Sequence, residues 1–121
     1  MKPRIGIIPG DPGGIGPELI AKLLADPDVH EKADILLIGD RHLFEMGQAQ
    51  AGAEIEMVAC DAHKGDWTDI SGLAIHERET IAADDVRLAE VTYANGHSAL
   101  SNLNCALEMA VSYTHLRAHE T

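Results

Sequence analysis

Between residues 9 and 18 the chain reads Pro9-Gly10-Asp11-Pro12-Gly13-Gly14-Ile15-Gly16-Pro17-Glu18. Four glycines and three prolines in ten residues break any continuous helix or central strand here, because proline removes a backbone donor and glycine weakens both elements. A short apolar run, Ile5-Gly6-Ile7-Ile8, enters the stretch, and an amphipathic run from Leu19 to Leu24 leaves it. That order predicts a buried strand, a rigid loop and a helix. Pro17 suits the first helical position, where its missing N–H is no loss, so Gly16 is the expected N-cap. First-turn N–H groups would then point out of the loop, a setting that favours anions by hydrogen bonding and by the helix dipole. The loop is the candidate front of a ligand site, and a plain strand-to-helix turn is the alternative.

The stretch fails the better-known phosphate motifs. A P-loop has Gly, four residues, then Gly-Lys-Ser/Thr. Here Ile15 stands five positions after Gly10, and no Lys-Ser/Thr pair follows. The dinucleotide spacing fails as well, because Leu19 follows Gly14 and Gly16 where the last glycine belongs.

The nine residues Gly10-Asp11-Pro12-Gly13-Gly14-Ile15-Gly16-Pro17-Glu18 closely resemble the N-terminal signature of the 4-hydroxythreonine-4-phosphate dehydrogenase family. The commoner family form has Ala where Gly13 stands. A shorter cousin, Gly-Asp-Gly-Ile-Gly-Pro-Glu, opens the isocitrate and isopropylmalate dehydrogenases, and the extra Pro12 and Gly13 favour the first family. The resemblance continues more weakly through Ile35 to Asp40 and Asn95 to Ala110. It implies an α/β chain: the N-terminal part of a two-domain, isocitrate/isopropylmalate dehydrogenase-like fold with an incomplete sheet. It implies oxidation of 4-phosphooxy-threonine, or a related four-carbon hydroxy-acid phosphate, by NAD, followed by decarboxylation, in a homodimer. It also implies a divalent metal (zinc, magnesium or cobalt) held by three histidines, acting as a Lewis acid. The family's metal-binding and substrate-binding motifs lie downstream of anything here. None of His30, His42, His63, His76 or His97 stands in a matching motif, so no catalytic or metal residue is carried over. By analogy with the shorter loop, Gly10 to Gly16 would border the nicotinamide, with Gly14, Ile15 and Gly16 near the ring and Asp11 orienting the loop. The readings set against this are an isopropylmalate-type dehydrogenase fragment and a small non-catalytic α/β anion-binding module.

The rest of the chain fits an α/β order. Arg4 to Ile8 is the first expected strand, and Pro17 to Ala25 a helix with Leu19, Ile20, Leu23 and Leu24 on its apolar face. Asp26-Pro27 ends that helix. Glu18 suits the first-turn dipole and pairs with Lys22 four residues on. Ile35 to Ile38 reads as a second buried strand stopping at Gly39-Asp40. Arg41 to Ala51 reads as a helix with Leu43, Phe44 and Gly47 inward. Alternating strands and helices imply a right-handed βαβ unit and a parallel sheet. Asp40 could be a ribose-binding acid, but a helix N-cap role is preferred because the glycine fingerprint fails. Glu54 to Ala59 is a third expected strand and Leu73 to Ile75 a short fourth. His76 to Ala94 has no clean periodicity. Asn95-Gly96-His97 reads as a break and Ser98 as an N-cap. Leu100, Leu103 and Leu107 follow at helical spacing, with Ala106 and Ala110 beside them. His97 could meet a phosphate at that helix start, with capping or a surface role preferred.

Charge and cysteine usage narrow the partners. The net charge of −11 disfavours nucleic acid and anionic membranes, so an anionic cofactor or substrate needs local devices such as a helix N-terminus. Aromatics are only 3%, so the expected core is Leu, Ile, Val and Ala. Cys60 and Cys105 are far apart, and no export signal or membrane span is visible; a reducing cytoplasm is expected. Asp61, His63, Asp66 and Asp69 could be imagined as a metal cluster, but a solvated acidic loop is preferred. Trp67 is expected to pack over a sheet edge.

The last ten residues, Ser112 to Thr121, resemble the in-frame translation of a sequencing-library adapter. The expected division is a truncated dehydrogenase portion over residues 1–111 and an artefact tail over 112–121. His115 and His119, at i and i+4, would then be an accidental pair rather than zinc ligands. An open parallel sheet lacking later strands leaves apolar edges uncovered. The isolated chain is therefore expected to be inactive and prone to aggregate or fold only in part.

Overall fold

A computed structural model of the chain describes residues 2–64, 67–70, 72–113 and 117–119. The β-branched run at the start forms β1 (Arg4–Ile7), which pairs with β2 (Asp34–Gly39) so that Ile5 lies opposite Ile35 and Ile7 opposite Leu37. β4 (Leu73–Glu77) lies on the far side of β2, and β3 (Met57–Cys60) lies outside β4. The backbone of β5 (Arg117–His119) runs beside β1. All these pairs are parallel, in the order β3-β4-β2-β1-β5. Parallel neighbours need crossovers, and helices supply them while covering the sheet.

Side chains on β2 alternate between two cores, as the two-residue period of a strand requires. Ile35 and Leu37 join Ile7, Leu73 and Ile75 against α1 (Gly16–Leu24) and α3 (Arg41–Ala51), which contribute Ile20, Leu24 and Phe44. Leu36 and Ile38 join Ile8 and Ala74 on the other face, against Trp67 and against Ala106 and Met109 of α4 (Tyr93–Tyr113). Each fully buried Leu or Ile is worth about 1.5–3 kcal/mol of transfer free energy. The expected α3 face holds: Leu43, Phe44 and Gly47 are all buried. Gly47 sits so close to Pro17 of α1 that an added Cβ would lie 2.1 Å from the Pro17 carbonyl oxygen. Glu18 and Lys22 pair at 3.6 Å.

Several expectations need correction. Helix α1 starts at Gly16 with Ile15 as its N-cap, not Gly16; the Ile15 carbonyl already accepts from Leu19 N–H. Its buried face is Pro17, Ile20, Ala21 and Leu24, while Leu19 and Leu23 are exposed. Asp26-Pro27 does end α1, but it also opens α2 (Pro27–Lys32), because the Asp26 carboxylate accepts from Asp28 N–H at 3.0 Å. β3 begins at Met57 rather than Glu54; the Ile55 N–H is taken by the Gln48 side chain at 3.1 Å. The expected break at Asn95-Gly96-His97 is absent. Thr92 caps α4 earlier, its hydroxyl accepting from Asn95 N–H at 3.1 Å, the geometry of an N-cap reaching N3. Ser98 is therefore inside the helix, not at its cap. The inward face of α4 is Asn95, Ser98, Asn102, Ala106 and Met109. Leu103 packs against the core, but Leu100 and Leu107 are exposed. Trp67 lies within the second core rather than over a sheet edge, 4% exposed.

Candidate functional site

The glycine-proline loop leaves the carboxyl end of β1, where open parallel sheets place their ligand crevice. Gly10 takes φ +73°, a left-handed conformation that suits glycine. Asp11 then closes the turn. Its carboxylate accepts from Gly13 N–H at 2.8 Å and its carbonyl from Gly14 N–H at 3.0 Å. Gly16 passes beneath Pro9 so tightly that a Cβ there would lie 2.4 Å from the Pro9 carbonyl oxygen. Gly14 has room, with its nearest neighbour at 3.4 Å. At the tip, Ile15 is 69% exposed. A large apolar side chain held in water between glycines on a braced loop offers a wall to a flat ring. The five residues singled out from the sequence, Gly10, Asp11, Gly14, Ile15 and Gly16, thus form one continuous element.

A second feature lies at the carboxyl ends of β2 and β4. Asp40 follows β2, is 1% exposed, and occupies the N-cap position of α3 without its side chain capping that helix. Instead its carboxylate accepts from Thr80 N–H and Thr80 Oγ1–H, each at 2.7 Å, and from Ile81 N–H at 3.1 Å. Thr80 Oγ1 in turn lies 2.6 Å from Ser98 Oγ of α4. Asp40 is the N-cap residue of α3 by position, as expected, but its side chain does other work: it ties the end of β2 to the segment after β4 and, through Thr80, to α4. Beside this network a cavity of about 590 Å³ is lined by His42, Arg78, Thr80, Tyr93 and His97, among others. His42 Nε2 lies 2.8 Å from the Ile81 carbonyl oxygen, and Arg78 Nη1–H donates to the Ser101 carbonyl at 2.6 Å. The His97 ring stacks on Tyr93 within the first turns of α4. Sequence reasoning weighed Asp40 and His97, and Ser98 only as an N-cap, but not Thr80 or Arg78. The available signal was Gly39-Asp40 closing a buried strand, which marks a strand end that must be held.

Within the imagined acidic cluster, Asp61 makes a local turn, its carboxylate accepting from His63 N–H at 3.0 Å. Asp66 lies outside the described residues, as do Gly65, Ser71 and His115. Among the described residues no three His, Cys, Asp or Glu side chains are placed to hold a metal ion, and no helix is long and apolar enough to cross a membrane. His76 packs edge-to-face on His63, and its Nδ1 accepts from Ala62 N–H at 3.2 Å. Burial, then the neighbouring His63, depresses its pKa below the ordinary value of 6.5, with Asp61 opposing and Arg78 adding to the depression. Burial raises both thiols; Asp61 adds to the effect at Cys60, whereas at Cys105 Arg78 opposes it and Glu108 adds.

An open parallel sheet flanked by helices, with a braced Gly/Pro loop at the end of its first strand, defines the class, a parallel α/β fold. More particularly, the chain resembles the 4-hydroxythreonine-4-phosphate dehydrogenase family, an enzyme family of oxidoreductases. It is 40% identical over 111 residues to a Pseudomonas aeruginosa protein provisionally named 4-hydroxythreonine-4-phosphate dehydrogenase 2, covering 91% of this chain and 33% of that one. It is 32% identical over 111 residues to a Clostridium botulinum protein provisionally named D-threonate 4-phosphate dehydrogenase, covering 90% and 33%. The fold matches a crystal structure of a 4-hydroxythreonine-4-phosphate dehydrogenase from Burkholderia phymatum with a TM-score of 0.81 at 24% identity, over 98% of this chain and 36% of that one. A Klebsiella pneumoniae enzyme of the same name matches with a TM-score of 0.77 at 21% identity, over 98% and 37%. No family model matches the chain. The chain spans about a third of the length of the curated relatives it matches.

Proposed function

We propose that residues 1–111 form the cofactor-facing N-terminal part of an NAD-dependent, divalent-metal-dependent dehydrogenase, and that residues 112–121 are an adapter-derived tail. The single observation that carries this reading is the nine-residue loop braced at the carboxyl end of β1, with Ile15 exposed at its tip. Gly10, Asp11, Gly14, Ile15 and Gly16 would border the nicotinamide, Asp11 by holding the turn and Ile15 by packing on the ring. NAD bound there would supply the hydride acceptor for a secondary alcohol, and a divalent metal would supply Lewis-acid polarisation of the substrate oxygen. The metal ligands belong to the part of the longer protein that is not in this chain. The relatives' names point to a phosphorylated four-carbon hydroxy acid, either 4-phosphooxy-threonine or, as the D-threonate name suggests, its acid-sugar counterpart. The insertion of Pro12 and Gly13 counts against an isopropylmalate-type enzyme. A cytoplasmic homodimer completes the proposal.

The test is to read the gene beyond codon 111 in an uncontaminated clone, express the product, and follow NADH with each phosphorylated acid and a divalent metal. Continued reading frame and metal-dependent NADH formation are expected. A stop codon near that point would favour the small binding module and overturn the enzyme reading.

A further inference from the structure

Residues 87–90 lie against the signature loop through a small set of directed contacts. The Gly13 carbonyl accepts from Ala89 N–H at 2.8 Å. Ala89 holds φ +58°, the left-handed region that side chains with a Cβ avoid. Leu88 and Val91 project into solvent, so apolar burial contributes little to keeping this segment in place. What holds it is Asn95, which is fully buried in the first turn of α4. Its Nδ2 donates to the Arg87 carbonyl at 2.9 Å and to the Glu90 carbonyl at 3.3 Å. Both partners can only accept, so the orientation of the amide follows from its surroundings. Its Oδ1 is buried without a partner. A buried acceptor left unpaired is costly, and here both amide protons face the segment's carbonyls.

Gly13 is the other half of the arrangement. A Cβ at that position would lie 2.5 Å from the Arg87 carbonyl oxygen and 2.6 Å from Asn95 Nδ2. Alanine at position 13 does not fit against this placement of residues 87–90.

We infer that Asn95 is a positioning residue that latches residues 87–90 onto the signature loop, and that glycine at position 13 is the condition for the latch to close. The loop face bearing Gly14 and Ile15 is then braced from a segment more than seventy residues away in sequence. Any consequence for cofactor affinity rests on the function proposed above, but the latch itself does not.

Residue-resolved amide exchange on the protein encoded by the uninterrupted gene tests it without a cofactor. In the wild type the Ala89 amide should be protected by at least about tenfold over the unstructured-peptide rate. In Gly13→Ala and in Asn95→Ala that protection should vanish and the Ala89 amide resonance should shift, while Leu37 and Ile38 in the central strand exchange as before. A purely structural role would instead speed Ala89 and Leu37 together. An unprotected Ala89 amide in the wild type overturns the inference even if neither variant folds. Retained protection in a folded Asn95→Ala or Gly13→Ala overturns it as well.

Discussion

Replacing Gly16 by alanine should destabilise the fold, while the same change two residues earlier should not. The added Cβ at position 16 would lie 2.4 Å from the Pro9 carbonyl oxygen. Carbon–oxygen contacts settle near 3.3 Å, so the two groups must part by about 0.9 Å. Pro9 is fully buried where β1 ends, and Gly16 begins a helix packed on α3, so neither backbone can swing away freely. Overpacking of this kind costs about 1–3 kcal/mol. At Gly14 the nearest atom to an added Cβ is the Asp11 carbonyl oxygen at 3.4 Å, an ordinary contact. There the reduced freedom of the unfolded chain should stabilise by about 0.4–1 kcal/mol. Urea titrations followed by circular dichroism give both midpoints. A Gly16→Ala midpoint at or above wild type would refute the close approach beneath Pro9 as the reason for that glycine.

Other outcomes follow from the same geometry. Asp40→Asn keeps one acceptor oxygen and turns an NH₂ toward the Thr80 and Ile81 donors; it should cost roughly 1–3 kcal/mol in the same titration, and an unchanged midpoint would contradict the carboxylate's role. The depressed pKa of His76 means that the folded state resists a proton which the unfolded state takes up near pH 6.5. Its contribution is present above that pH and is lost as pH falls toward the depressed folded value; His76→Asn should flatten the stability profile below pH 6.5. Cys60 and Cys105, with raised thiol pKa values, should react with iodoacetamide at neutral pH more slowly than free cysteine, as mass spectrometry of timed samples would show.

The parts of the fold legible in the sequence are those governed by neighbours close in the chain. Ile5 to Ile8 reads as a buried strand because it is an apolar run stopped by Pro9. The α3 face reads correctly because Leu43, Phe44 and Gly47 repeat at helical spacing. Helix α4 misleads for the opposite reason. Its buried face carries Asn95, Ser98 and Asn102, whose partners are Arg87 and Glu90, Thr80, and Arg78. Those polar residues find their partners only in three dimensions, so the leucines at 100 and 107 look inward by pattern and face water in fact. At Asp40 the N-cap position was legible, but the side chain's partners were not, because its donors come from a segment forty residues later. At Asp26-Pro27 a stop signal and a start signal have the same letters, since proline ends one helix and suits the first position of the next. The loop from Gly10 to Gly16 was legible as a braced element because glycine, proline and aspartate there constrain one another locally. Its fastening by residues 87–90 was not.

The most direct test of the loop's role is the KM for NAD of the protein encoded by the uninterrupted gene, measured with Gly14→Ala. The fold tolerates that substitution, so an effect would come from what meets the loop face. A raised KM for NAD with a urea midpoint at or slightly above that of the wild type is the predicted result. An unchanged KM would contradict the placement of Gly10–Gly16 beside the nicotinamide.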